Sequence, residues 1–177
     1  MNTLRTVFVA IALVAFTACQ LITGPDGKHV GIVEWVASAN ATWSMGDAVP
    51  ARDMPWDSLL LGDPVLEVPD TVDAGVPFDV VVRTYGPTTC WKASGGDVAR
   101  TDSTLRLVPY DIDERATAPH IPCGNAVIRL PRTFSASFPR AGTATVRVTG
   151  RKVIGGAGSS MDNYAVTLEA TVVVRQN

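Results

Sequence analysis

The stretch YAVTLEATVVV, residues 164–174, decides the fold. Successive side chains of an extended chain point to opposite faces, so Tyr164, Val166, Leu168, Ala170, Val172 and Val174 share one side. Thr167, Glu169, Thr171 and, one step further, Arg175 share the other. An eleven-residue strand with one polar face belongs in an antiparallel sheet with its apolar face covered. The same period of two recurs upstream. Ala144, Val146 and Val148 alternate with Thr145, Arg147 and Thr149, and Phe134, Ala136 and Phe138 alternate with Ser135 and Ser137. Leu105 and Leu107 bracket Arg106. Phe78, Val80 and Val82 alternate with Asp79, Val81 and Arg83, and Leu66 and Val68 with Val65 and Glu67. Turn residues separate these runs, among them Asp73 to Pro77 and the hairpin loop GGAGSS, Gly155 to Ser160, which lacks the Gly-Lys-Ser/Thr ending of a phosphate loop.

Composition agrees. Lys and Glu together number 7, against 24 Val and 18 Thr, and β-branched side chains suit a pleated surface. Fifteen Gly and 12 Pro, with Asp, supply turns. The chain reads as all-β, with about seven to nine strands. No βαβ spacing is present, so the expected architecture is a sandwich of two antiparallel sheets over residues 63–177.

The amino terminus carries an address. Arg5 is positive, Val7 to Phe16 is an unbroken apolar run of ten, and Thr17, Ala18 and Cys19 close it with small residues. Ten apolar residues fall short of the roughly 20 that span a bilayer, so residues 1–18 read as a signal helix to be cleaved. Phe16-Thr17-Ala18-Cys19 resembles the lipobox of bacterial lipoproteins, with Phe16 where leucine is usual. The resemblance implies cleavage before Cys19 and acylation of its thiol; an ordinary secretory signal beside a chance cysteine is the alternative. Several acyl chains on one residue would hold the protein at a membrane, since a single chain is marginal. In such lipoproteins an aspartate after the cysteine marks inner-membrane retention, so Gln20 implies the outer membrane.

Loss of the signal leaves 159 of 177 residues and takes 15 basic side chains to 14 against 17 acidic ones, a net charge of about −3. That balance gives no electrostatic reason to expect nucleic acid. Residues 19–28, broken by Gly24, Pro25 and Gly27, read as a tether reaching about 30 Å. A first strand candidate, His29 to Val36, opens the segment 29–62, whose remainder is irregular and holds Pro50 and Pro55, with Pro64 just beyond. Trp35, Trp43 and Trp56 place three of the four tryptophans in it. They are expected to cover an edge or end of the sandwich, with an exposed ligand-binding patch as the alternative.

With Cys19 acylated, Cys90 and Cys123 form an even pair in an oxidising compartment, and a disulfide between them is the simplest outcome. His120, three residues before Cys123, opens a zinc reading, but a second His and Cys at ligand spacing are missing, so no metal and no cofactor is expected. Asp111, Asp113 and Glu114 place alternating oxygens after the Leu105 to Tyr110 strand. They lack the glycine and distant acidic ligand of a calcium loop, and a solvated turn is the simpler reading. Trp91 is expected to pack over the disulfide.

A family resemblance rests on two stretches. Residues 65–84, VLEVPDTVDAGVPFDVVVRT, and 138–151, FPRAGTATVRVTGR, resemble the opening and closing strands of bacterial immunoglobulin-like domains of surface and lipid-anchored proteins. The resemblance implies an immunoglobulin-like β-sandwich. Ala144 stands where such domains often have tyrosine. Cys90 and Cys123 lie outside the strands that carry the inter-sheet disulfide of antibody domains, so their bridge is expected to tie loops at one end.

Function is less determined, because such a fold serves many roles. Neither His29 nor His120 lies in a nucleophile motif; G-x-S-x-G and H-E-x-x-H are absent. The expectation is a non-enzymatic, lipid-anchored envelope protein, an interaction or structural module with a possible envelope protein partner. Its binding residues would lie in loops around Cys90 to Arg100 and Asp111 to Asn125, including Trp91, Asp111, Asp113, Glu114 and His120. The alternative is a metal-assisted or acid/base hydrolase using Asp111, Asp113 or Glu114 with His120.

Overall fold

The computed structural model describes residues 27–36, 64–124, 126–154 and 162–176. The leader and Cys19, the segment 37–63 with Trp43 and Trp56, Asn125 and the loop 155–161 lie outside the described residues. Ten strands make up the described body. They are β1 (His29–Val30), β2 (Ile32–Val36), β3 (Leu66–Glu67), β4 (Thr71–Asp73), β5 (Phe78–Gly86), β6 (Trp91–Arg100), β7 (Thr104–Asp113), β8 (Ile128–Ala136), β9 (Gly142–Ile154) and β10 (Asp162–Arg175). A 3-10 turn, Glu114–Ala116, follows β7.

The body is all-β, and its strands form one curled, mixed sheet resembling half a barrel. β10 runs antiparallel to β9 along its whole length, from Asp162 opposite Ile154 to Val174 opposite Gly142. On its other side β9 has two parallel neighbours in turn: β7 beside Thr145 to Val148, then β2 beside Arg151 to Ile154. β7 is flanked by β6, and β5 by β2, β3 and β8. β4 adds to the far edge of β10 in parallel. Three parallel pairings therefore replace the purely antiparallel arrangement expected. Alternation reports which face of a strand is buried and says nothing of the direction of its neighbours.

The alternation itself holds. Val80 and Val82, Leu105 and Leu107, Ala144, Val146 and Val148, and Val172 and Val174 all face a common core. Full burial of such side chains contributes roughly 1.5–3 kcal/mol each against the chain entropy. Phe138 lies in the same core, its ring stacked 5.6 Å from that of Phe78. A second cluster joins Ile32, Trp35, Tyr85 and Val153, so Trp35 is a core residue.

Two segments differ from expectation. Residues Cys90 to Arg100, read as a loop, contain the ten-residue strand β6, paired antiparallel with β7. β6 is an edge strand whose side chains are largely exposed, so no apolar alternation betrays it. A bulge between Ala93 and Gly96 breaks its register, with Gly95 at φ +75°. β8 begins earlier than its Phe134 signal and contains Pro131, which an edge strand tolerates.

The fork between β7 and β9 organises the site. After Leu107 the two strands part, and Val30-Gly31-Ile32 enters between them, so the first strand candidate is split into β1 and β2 at Gly31. The Gly31 N–H donates to the Pro109 carbonyl at 2.8 Å, and the Arg151 N–H donates to the Gly31 carbonyl at 2.9 Å. A residue's N–H and C=O point to the same side of a strand, so Pro109 has no N–H to offer on the side where β9 would continue. A Cβ on Gly31 would lie 2.4 Å from Thr84 Cγ2, so only glycine fits the wedge.

Candidate functional site

Three polar residues continue the apolar faces of their strands. Thr84 follows Val80 and Val82 on β5, Asp111 follows Leu105 and Leu107 on β7, and Arg132 lies between Leu130 and Phe134 on β8. Parity sends all three inward, where they meet. Asp111 Oδ1 accepts from Thr84 Oγ1 at 2.9 Å and from Arg132 Nη2, which also donates to Thr84 Oγ1 at 2.5 Å. Arg132 Nη1 donates to the Gly95 carbonyl at 2.9 Å and to the Tyr110 carbonyl. The side chains of Arg132 and Asp111 are 7% and 1% exposed, so this ion pair is shielded from solvent. One guanidinium thus joins β8 to β5, β6 and β7.

A second arginine stands nearby. Arg151 Nε donates to the Val30 carbonyl at 2.5 Å and its Nη1 to Asn163 Oδ1 at 3.1 Å, which fixes β1 against β9 and β10. Burial pushes the Asp111 carboxyl above its usual range, and Arg132, Thr84 and Arg151 only partly oppose this. Burial likewise lowers Arg151, with Asp111 offsetting it. Tyr110 is pushed up to about 12 by burial and by the hydrogen bond its hydroxyl donates to Asp97 at 2.7 Å. His29 pairs in register with Asp111, and its ring lies 5.0 Å from the Trp91 ring, tilted by 53°. Burial and Arg151 lower its basicity, and Asp113 and Asp111 oppose them.

The residues expected to form a binding surface separate into different roles. Asp111 is interior, which corrects the solvated-turn reading for it. Asp113 caps the 3-10 turn, accepting from the Arg115 N–H at 3.1 Å and from its guanidinium, which holds the carboxyl below the usual range. Glu114 pairs with Lys92 at 2.5 Å. His120 is exposed on the connection before β8. Among the described residues no hydrogen bond or ion pair joins His120 to Asp111, Asp113 or Glu114. Trp91 is half-buried and faces the His29 ring.

Cys90 and Cys123 are joined by a disulfide, Cα–Cα 5.4 Å, between the turn before β6 and the connection before β8. The bridge is flanked by bonds between Thr89 and Gly124 in both directions, 3.1 and 2.7 Å. The bridge and these bonds tie the end of the connection 114–124 back to the turn before β6.

Sequence reading missed Thr84, Arg132, Arg151 and His29 as members of one cluster. The signal for two of them was available: a polar side chain at an inward parity on an otherwise apolar face. Arg151 and His29 gave no such signal, because the fork that gathers them is a long-range event.

Among the described residues no group of three or more His, Cys, Asp or Glu side chains is placed to hold a metal ion, and no helix is long and apolar enough to cross a membrane. No family model, curated protein or solved structure matches the chain.

Proposed function

We propose that this chain is a lipid-anchored cell-envelope protein acting as a non-catalytic interaction or structural module. The observation that carries the reading is the leader, Met1 to Cys19, with its ten-residue apolar run ending in a cysteine. The Cys90–Cys123 disulfide suits an oxidising compartment outside the cytoplasm. Gln20 favours the outer membrane over the inner. An immunoglobulin-like kinship rests on the sequence of residues 65–84 and 138–151, whose strands lie here in one mixed sheet.

The non-catalytic reading is supported by how the acidic residues are used. Asp111, Asp113 and Glu114 each have a cationic partner of their own, Arg132, Arg115 and Lys92. A hydrolase built on them with His120 would need a carboxylate free to exchange a proton with substrate. The surface best suited to a protein partner is the disulfide-tied connection 114–124, because irregular exposed segments on a rigid scaffold commonly carry binding.

The anchor is tested by Cys19→Ser. The substitution should abolish labelling with a radioactive fatty acid and move the protein from the membrane to the soluble fraction; an unchanged membrane fraction refutes the anchor. The partner surface is tested by a photo-crosslinking residue at His120 in intact envelopes. A specific crosslinked species is expected, and its absence alongside a retained anchor counts against the module reading.

A further inference from the structure

We infer that the seat of the amino-terminal strand is a pH-sensitive latch, in which protonation of the His29 imidazole loosens His29 to Gly31 from the fork between β7 and β9. The inference rests on the fork and is independent of the lipid. β1 is only two residues long, and among the described residues it is held by the buried Val30 side chain and a few further contacts. These are its ladder to Tyr110 and Asp111, the Gly31 bonds to Pro109 and Arg151, the Arg151 Nε bond to the Val30 carbonyl, and the His29 to Trp91 ring contact. An imidazole in that seat gains or loses a charge near neutral pH, where the carboxylates and guanidiniums around it ordinarily do not.

The charges around His29 come from every packed element. β9 contributes Arg151, and β7 contributes Asp111 and Asp113. Asp111 is already engaged by Arg132 of β8, and Asp113 by Arg115 after β7. β6 contributes the uncharged Trp91 ring, whose face would favour a cation, with Lys92 next to it paired to Glu114. Lys28 immediately precedes the strand. Two carboxylates therefore already serve three guanidiniums, and an imidazolium would add a fourth cation to a half-buried place. Burial and Arg151 together outweigh the attraction of the two aspartates, so the folded His29 lies below its ordinary 6.5.

The sign follows. A base depressed in the folded state stabilises its seat above the unfolded value, and this contribution is lost as pH falls towards the folded one. Asp111 acts in the opposite sense, since burial raises it and acid favours its neutral form in the fold. Asp113, held low by Arg115, loses its contribution only as pH falls below its ordinary 3.8, so loosening between about pH 7.5 and about pH 5 belongs to His29. Release of three residues would lengthen the segment ahead of the body by about 10 Å, changing how far the body stands from whatever holds its amino terminus.

The test is amide hydrogen exchange by mass spectrometry on the full-length protein in detergent, at about pH 7.5 and about pH 5, corrected for intrinsic rates. The Gly31 and Arg151 amides report on the fork. Their protection should fall by roughly threefold or more in acid in the wild type and in His120→Gln, and should be insensitive to pH in His29→Gln. No fall in the wild type, or an equal fall in His29→Gln, overturns the latch. If His29→Gln does not fold, NMR on the wild type decides: loss of Gly31 and Arg151 amide protection that follows the midpoint of the imidazole supports the latch, and protection that does not follow it overturns the latch.

Discussion

Arg132→Met is the sharpest probe of the buried cluster, because methionine roughly fills the stem's volume and removes only the charge and its directional bonds. The guanidinium and its carboxylate partner are 7% and 1% exposed, so solvent does little to screen or replace the interaction. The substitution deletes the bonds to Asp111, to Thr84 at 2.5 Å, and to the carbonyls of Gly95 and Tyr110. Breaking a buried ion pair by removing one partner costs about 3–5 kcal/mol, most of it the penalty of the charge left behind. With a urea slope of about 2 kcal/mol per molar, the midpoint should fall by roughly 2 M. The loss should also depend on pH. Asp111 is already raised by burial, and Arg132 is the foremost group opposing that rise, so its carboxyl climbs further in the variant. A carboxyl raised in the folded state favours folding fully below its unfolded value, and that advantage vanishes as pH rises through the folded one. The deficit against wild type should therefore be largest near about pH 8 and shrink towards about pH 5. Arg132→Met combined with Asp111→Asn should recover much of the loss, since no unpaired buried charge remains beside Thr84. Urea titrations followed by circular dichroism at both pH values measure all of this. A loss below about 1 kcal/mol, the range of an exposed pair, or a deficit indifferent to pH, would refute the reasoning.

Gly31→Ala should cost about 1–3 kcal/mol by overpacking against Thr84 Cγ2, and Thr84→Ser, which deletes that methyl and keeps the hydroxyl, should return part of it in denaturant titrations. Gly75→Ala should lose about 1–2 kcal/mol through its φ of +76° alone, with no relief from Thr84→Ser, since nothing lies within 4 Å of its Cβ position. Replacing Cys90 and Cys123 together by serine should lower stability by about 3–4 kcal/mol for a loop closed across a sequence separation of 33, read from the same titrations.

Much of the fold was legible because one face of each long strand is buried. β5, β7, β9 and β10 all stand where period-two alternation placed them, and the even pair of thiols is joined. What the alternation could not carry was neighbourhood. The parallel contacts of β9 with β7 and β2 join residues far apart in sequence and depend on Gly31 and Pro109 opening a fork. β6 was illegible for a different reason: an edge strand exposed on both faces has no apolar side to display, and its paired glycines mimic a loop. The solvated-turn reading fails for Asp111 because only its neighbours Asp113 and Glu114 cap and open the 3-10 turn, while its own parity with Leu105 and Leu107 points inward.

That parity explains why a charged cluster occupies one end of an otherwise valine-rich core. A one-residue slip between β5 and β8 would turn Val80 and Val82, or Phe134 and Ala136, out to solvent, and lost burial opposes it. A two-residue slip is different, since it preserves every inward and outward assignment and leaves valine opposite phenylalanine much as before. Hydrophobicity distinguishes the two registers poorly. Arg132 stands opposite Val82, with Thr84 two pairs along on the same face, and the guanidinium reaches Thr84, Asp111 and two carbonyls at once in that register. A two-residue slip leaves a buried guanidinium and a buried carboxylate apart, a penalty of the order of 3–5 kcal/mol that the correct register escapes. The cluster's contribution is thus to discriminate against the alternative that apolar patterning permits, and its directional bonds tie β5, β6, β7 and β8 into one arrangement.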